Sequence, residues 1–203
     1  ASEGSTGAAP IRVGSGTPEC QDVIVIGAMG SGQNFQENKG IGPEVELALS
    51  AYASHLAGYR VGYFPNPYPA APFDIPSMST RSYRETFWAS IDSGVRETLD
   101  FIDARVQKCG DTEHFVLAGY SQGAMVNHRV LFKIAGNRTT AARLLPLIDG
   151  VIAIADGDRV DRQGGTHYGT AATTRSYGVV WAKKLWPGAA GTIYLPTKKP
   201  VPN

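Results

Sequence analysis

Ser121 stands at the centre of Gly119-Tyr120-Ser121-Gln122-Gly123, a G-x-S-x-G pattern that separates an apolar run from an amphipathic one. A nucleophilic serine must project its hydroxyl from a sharp strand-to-helix turn, where only small residues fit two positions to either side. The same turn places the Gln122 backbone amide at a helix N-terminus. There an N–H without an intrahelical acceptor, together with the helix dipole, can stabilise a developing oxyanion. With 24 glycines in the chain the pattern alone is weak. Its position between a strand and a helix gives it weight.

A serine hydroxyl needs a base, itself held by an acid, to take its proton. The chain offers 4 histidines. His114 opens the strand that leads to Ser121, at the far end of the sheet from the serine. His128 lies two turns into the following helix and reads as a helix-surface residue, and His55 sits late in another helix. That leaves His167, in the glycine-rich stretch Gly164-Gly165-Thr166-His167-Tyr168-Gly169, downstream of a strand that ends at Asp156 and Asp158. The order Ser, Asp, His occurs among hydrolases whose serine sits on such a turn. Elimination gives Ser121, Asp156 (or Asp158) and His167 as the triad, against the plainer account in which the last two are polar loop residues.

The elements that must hold these groups alternate between short β-rich runs and helical patterns, which predicts an α/β fold with a mostly parallel sheet. Residues 22–28, 59–64, 114–120 and 150–155 read as strands, the first and last as strands buried on both faces. Pro43 opens a helix to about Ala57. Ser82 and Glu85 have the form of a capping box, which starts a helix with Phe87, Ile91, Val95, Leu99, Ile102 and Val106 on one stripe. A further helix follows Gln122 to about Ala135. Residues 176–185 suggest a helix and 192–195 an extended segment. Residues 65–79, with 5 prolines, predict a long irregular loop. Its Phe73, Ile75 and Met78, with Tyr63, Phe64 and Tyr68, form either a greasy wall beside the site or ordinary packing. One domain over residues 1–203 accounts for the chain, with 1–19 as a flexible N-terminus and 196–203 as a tail.

Composition narrows the class. Hydrophobic residues make up 42% and charged residues 18%, with a formal charge of +1. That balance, with no basic cluster, argues against a nucleic-acid partner. No apolar run reaches the roughly 20 residues of a membrane span. No Cys/His cluster has ligand spacing, so neither a metal nor an organic cofactor is expected. A monomer is the default state. Cys20 and Cys109 leave a disulfide and two buried thiols both open. If bridged, they close a long loop worth roughly 4–5 kcal/mol in the chain-entropy model and place the protein outside a reducing cytosol.

Several blocks resemble, in order, the cutinases and cutinase-like secreted esterases, actinobacterial members more than fungal ones. Cys20-Gln21-Asp22-Val23 resembles the family's Cys-x-Asp opening strand, and Gly30-Ser31-Gly32 its loop whose serine or threonine joins the oxyanion hole. Gly40-Ile41-Gly42-Pro43, Tyr68-Pro69-Ala70 and Gly119-Tyr120-Ser121-Gln122-Gly123-Ala124 follow, the last being the most specific. The resemblance implies a three-layer α/β-hydrolase-like fold without a lid, a Cys20–Cys109 disulfide, an extracellular or cell-envelope location, and Ser31 and Gln122 as the oxyanion hole. It implies a carboxylic-ester hydrolase acting on small esters, lipids or polyesters. The alternatives are a lipid-directed esterase (phospholipase, thioesterase or cell-envelope lipid esterase) and a non-catalytic hydrolase-fold binding protein. The family's Cys-x-x-Gly-Asp-x-x-Cys segment, which carries its catalytic acid, has no counterpart after Asp156. Three accounts follow: a chain ending before the family's last strand, an acid relocated to Asp156 with His167 as base, or impaired chemistry. The exposed-looking Lys198-Lys199-Pro200 favours the first.

Overall fold

The computed structural model describes residues 12–13, 19–160 and 177–182. Five parallel strands form one sheet: β1 (Arg12–Val13), β2 (Val23–Ala28), β3 (Val61–Pro65), β4 (His114–Tyr120) and β5 (Ile148–Ile154), in the order β1-β3-β2-β4-β5. Parallel neighbours need crossovers, and helices supply them. α1 (Pro43–Ser54) joins β2 to β3, and α2 (Arg81–Cys109) leads to β4. α3 (Gln122–Gly136) and α4 (Arg138–Leu144) lead to β5, and one turn, α5 (Val179–Ala182), lies beyond.

The strand sequences explain the layers. β2 is apolar throughout and buried along its whole length, as a strand covered on both faces must be. Its alternate residues face different partners. Ile24 and Ile26, with Phe115 and Leu117 of β4, pack against α2 and α3 through Ile91, Val95, Val126 and Val130. Val23 and Val25, with Val116, face Val45 and Leu49 of α1. The result is a parallel sheet with helices on both faces, the α/β fold that the alternation predicts and the three-layer α/β-hydrolase-like arrangement that the resemblance implies. Among the described residues, no helix is long and apolar enough to cross a membrane.

The structure departs from the expected elements at several points. Arg12–Val13 pairs with Gly62 and Tyr63 of β3, so the N-terminal stretch expected to be flexible contributes a short strand. α2 starts at Arg81 with Thr80 as N-cap, and Ser82 lies inside the helix, where its carbonyl accepts the Thr86 hydroxyl. The expected capping box is therefore not the start signal. β5 is not buried on both faces. It ends the described sheet, and Asp149, Val151 and Ala153 on one side of it are exposed. A register shift opposite Phe115 and Val116 displaces its alternation. α4 has no apolar period that would mark it. Its start is instead fixed by Asn137, whose side chain accepts the Thr140 amide at 3.0 Å. The extended segment expected at 192–195 lies outside the described residues. The six-residue greasy wall is mostly packing: Phe64, Tyr68 and Met78 are core, and only Ile75 is exposed.

At the N-terminal edge of the sheet, Cys20 and Cys109 form a disulfide with Cα atoms 5.7 Å apart, spanning 89 positions. Beside it Glu113 is fully buried. Arg105 Nε donates to its Oε2 at 2.6 Å and Nη2 to its Oε1, while the Gln21 amide donates to Oε1 at 2.7 Å. Removing one partner of such a pair strands a charge in the interior. Arg105→Ala should lower the unfolding free energy by about 3–5 kcal/mol in urea titrations of the oxidised protein. Arg105→Met combined with Glu113→Leu should recover most of that loss. A single-variant cost near that of a surface pair, about 1 kcal/mol or less, would contradict the stranded-charge account.

Candidate active site

Ser121 occupies the turn between β4 and α3 with φ 50° and ψ −110°. A non-glycine residue in this region carries strain of order 1–3 kcal/mol, and the surroundings must hold it there. They do so from two sides. The Ser121 amide donates to the Ile154 carbonyl of β5 at 2.8 Å, and its carbonyl accepts the Met125 amide at 3.1 Å. The glycines of the motif serve close approach. A Cβ on Gly119 would stand 2.4 Å from the Gly123 backbone, and one on Gly123 would stand 2.0 Å from the Ala28 carbonyl oxygen. Both glycines are therefore required by contact, as the expected turn demands.

Gln122 is the first residue of α3, so its backbone N–H has no acceptor within the helix. Its side chain is fully buried and spans outward: Nε2 donates to the Ala71 carbonyl at 3.1 Å, and Oε1 faces the Ser90 hydroxyl at 3.4 Å. Ser31 lies in the turn after β2, the strand paired with β4 up to Ala28 and Gly119. That turn abuts the elbow, since a Cβ on Gly30 would stand 2.5 Å from the Tyr120 ring and one on Gly123 2.6 Å from the Met29 carbonyl oxygen. The turn is held by three bonds. The Gly30 amide donates to Gln33 Oε1 at 2.6 Å and the Gly32 amide to the Ala70 carbonyl at 2.7 Å, while the Tyr68 hydroxyl donates to the Met29 carbonyl. Ser31 and Ser121 thus follow the carboxyl ends of adjacent parallel strands.

Asp156 comes two residues after β5. Its Oδ1 accepts the Asp158 amide at 2.9 Å, and its Oδ2 lies 2.7 Å from Nδ1 of His128. The expectation of a helix-surface His128 is corrected here. The imidazole is mostly covered, packed under the segment that follows β5, because that segment turns back across α3. His128 lies seven positions beyond Ser121, roughly 10 Å along the α3 axis, so it is not placed to take the serine proton. Asp158 is gripped by Arg129, Nε to Oδ2 at 2.7 Å and Nη2 to Oδ1 at 3.3 Å, and the Arg129 guanidinium lies 4.6 Å over the Trp88 ring. His167 lies outside the described residues. His114, at the other end of β4, pairs with Asp149 at 2.7 Å, and His55 follows α1 at the surface.

Burial pushes the His128 pKa down, but the hydrogen bond and charge of Asp156, with Asp158 behind it, outweigh burial and the opposing Arg129 charge and leave it raised. A raised pKa means that folding favours the protonated imidazole. The pair's stabilisation is complete below the unfolded histidine value near 6.5 and fades as pH climbs through the higher folded-state value. A double-mutant cycle of His128→Gln and Asp156→Asn, read in unfolding free energy, should give a larger coupling at pH 6 than at pH 9. Equal coupling at both would show that protonation is not what holds the pair.

The family model for cutinase matches residues 19–178 of this chain. Among solved structures, a cutinase-like protein from Cryptococcus sp. aligns with a TM-score of 0.57 at 16% identity, over 84% of this chain and 72% of that one. An acetyl xylan esterase aligns with a TM-score of 0.51 at 19% identity, over 74% and 69%. At these identities the structures show a shared fold. A comparison with curated proteins finds no match. By the extent of the family match, which runs from the first cysteine past the serine turn to the segment beyond β5, the chain belongs to the cutinase family.

Proposed function

We infer that this protein is a carboxylic-ester hydrolase that works through an acyl-enzyme on Ser121. The observation that carries the reading is the strained left-handed backbone at Ser121, fixed between Ile154 and α3 by glycine contacts on both sides. Strain of that kind is kept where a side chain must be aimed.

In this mechanism Ser121 Oγ attacks the ester carbonyl carbon while its proton passes to a histidine. The carbonyl oxygen becomes an oxyanion held by the Gln122 amide and by the amide and hydroxyl of Ser31. Collapse breaks the bond to the alcohol oxygen, which leaves with the histidine's proton. A water then attacks the acyl carbon by the same route and frees Ser121. The histidine is assigned to His167 and the acid to Asp156, on the Ser–Asp–His order and on the position of Asp156 directly beyond the strand whose carbonyl binds Ser121. Each Asp156 oxygen that meets His128 or the Asp158 amide keeps a second lone pair for another donor. Small esters and lipid or polyester chains are the substrate class. The Cys20–Cys109 bond fits a chain that works outside a reducing cytosol.

Hydrolysis of 4-nitrophenyl butyrate should be readily measurable for the protein and fall by at least about a thousandfold in Ser121→Ala, with the fold intact by circular dichroism. A comparable fall in His167→Ala supports the assigned base. Loss in the first variant with full activity in the second would place the base elsewhere. Turnover that survives Ser121→Ala, or a serine-directed phosphonate that leaves Ser121 unlabelled, would sink the acyl-enzyme reading.

A further inference from the structure

The two arms assigned to the oxyanion hole come from distant parts of the chain, Ser31 from the turn after β2 and Gln122 from the start of α3. Neither arm bonds directly to the other in the hydrogen bonds described above. Both bond to one dipeptide, Ala70–Ala71, in the loop between β3 and α2. The Ala70 carbonyl accepts the Gly32 amide at 2.7 Å, next to Ser31. The Ala71 carbonyl accepts Gln122 Nε2 at 3.1 Å.

This dipeptide is itself anchored by Ser90 of α2. The Ala71 amide donates to Ser90 Oγ at 3.0 Å, and the Ser90 hydroxyl donates to Gln122 Oε1 at 3.4 Å. The bonds close a ring: Ala71 N–H to Ser90, Ser90 O–H to Gln122, and Gln122 N–H back to the Ala71 carbonyl. The Ala71 carbonyl can only accept, so it must face Gln122 Nε2, which leaves Oε1 for the Ser90 hydroxyl and fixes the Gln122 amide orientation as well as its rotamer. Ser90 is 3% exposed and Ala71 7%, and Gln122 is fully buried. Deleting the hydroxyl would leave the Ala71 amide and Gln122 Oε1 unpaired in the interior. Ala70 has φ 48°, a left-handed conformation disfavoured for alanine by about 1–2 kcal/mol. The bonds on either side of it keep it in place.

We propose that Ser90 is a positioning residue that holds the two oxyanion arms in register through the Ala70–Ala71 peptide. Its hydroxyl bonds to Ala71 and Gln122, not to Ser121. It acts on Gln122 through the ring and on Ser31 through Ala71, Ala70 and Gly32. The proposal rests on the ester-hydrolase reading for its catalytic consequence, but the coupling between Ser90 and Gly32 is a property of the folded chain alone.

Two readouts test it. In Ser90→Ala, kcat for 4-nitrophenyl butyrate should fall about tenfold with KM unchanged, less than the loss expected for deleting an oxyanion donor outright. Gln122→Met keeps the backbone amide and removes the ring, so it should fall similarly, and the double variant should be little worse than either single one. Arg105→Ala, which weakens the fold at the opposite end of the sheet, should leave kcat unchanged and controls for lost stability. By NMR hydrogen exchange, the Gly32 amide, which Ser90 does not touch, should exchange faster in Ser90→Ala than in the parent protein. Unchanged Gly32 exchange overturns the relay, whatever kcat does. So does a kcat loss that Arg105→Ala matches. If the parent protein shows no turnover dependent on Ser121, the ester-hydrolase reading fails by itself, and the Gly32 exchange rate alone decides the relay.

Discussion

Gly123 presents only a hydrogen to the end of β2, and the geometry of the site depends on that closeness. A methyl at this position would stand 2.0 Å from the Ala28 oxygen and crowd the Met29 carbonyl as well. Because nothing intervenes, the first turn of α3 sits directly against the carboxyl end of a strand other than the one it follows. The turn after β2 is thereby brought beside the turn after β4. Two loops that share no sequence neighbourhood come to face one space, and the serine between them is left in its left-handed conformation. A bulkier residue would push α3 outward and separate the arms before any question of chemistry arose.

α2 carries the matching constraint on the other side. Its large residues pack into the core, while Ser90, Gly94 and Thr98 recur on a four-residue step where the helix meets other chain closely. Ser90 meets Ala71. A Cβ on Gly94 would stand 2.9 Å from Val126 and 3.1 Å from Tyr68. Thr98 accepts the Asn66 side-chain amide at 2.8 Å, as does the Gly94 carbonyl. The proline-rich loop over residues 65–76 is therefore stitched to a helix as well as to the strand ends. The Asn66 backbone amide donates to the Gly27 carbonyl at 2.9 Å. Further along α2, Arg105 and Cys109 fasten the far edge of the sheet.

Much of this is legible in the sequence, and the reasons differ by element. The strands around Val25 and Val116 announce themselves as unbroken apolar runs, because a strand covered on both faces has no polar side to interrupt it. The serine turn is legible because close packing leaves no residue but glycine at 119 and 123. What escapes is whatever depends on side chains reaching across the fold. His128 reads as a surface residue from its helix position, and only the return of the chain after Ala155, a residue with φ 52°, sets Asp156 upon it. The Ser90 hydroxyl lies between two apolar stripe residues, and no spacing rule points from it to Ala71. β5 misleads for a different reason. Its Val, Ile and Ala residues suggest a covered strand, but it ends the described sheet and has a register shift. The disulfide stands between these cases, left open by cysteine number and supplied by family resemblance.

The strand order has a bearing on how such a chain reaches its fold. β2 must find β4 across all of α1, β3 and α2, and parallel pairings of this reach are slow because loop closure precedes any gain from contact. Cys20 lies just before β2 and Cys109 just before β4, so the bond between them closes nearly the same loop that the pairing requires. A chain oxidised before it collapses begins with that closure made, and the meeting of β2 and β4 becomes a short-range event. A reduced chain must reach the same meeting by diffusion of its whole first half. The bond therefore removes most of the loop-closure entropy that the β2–β4 pairing would otherwise cost.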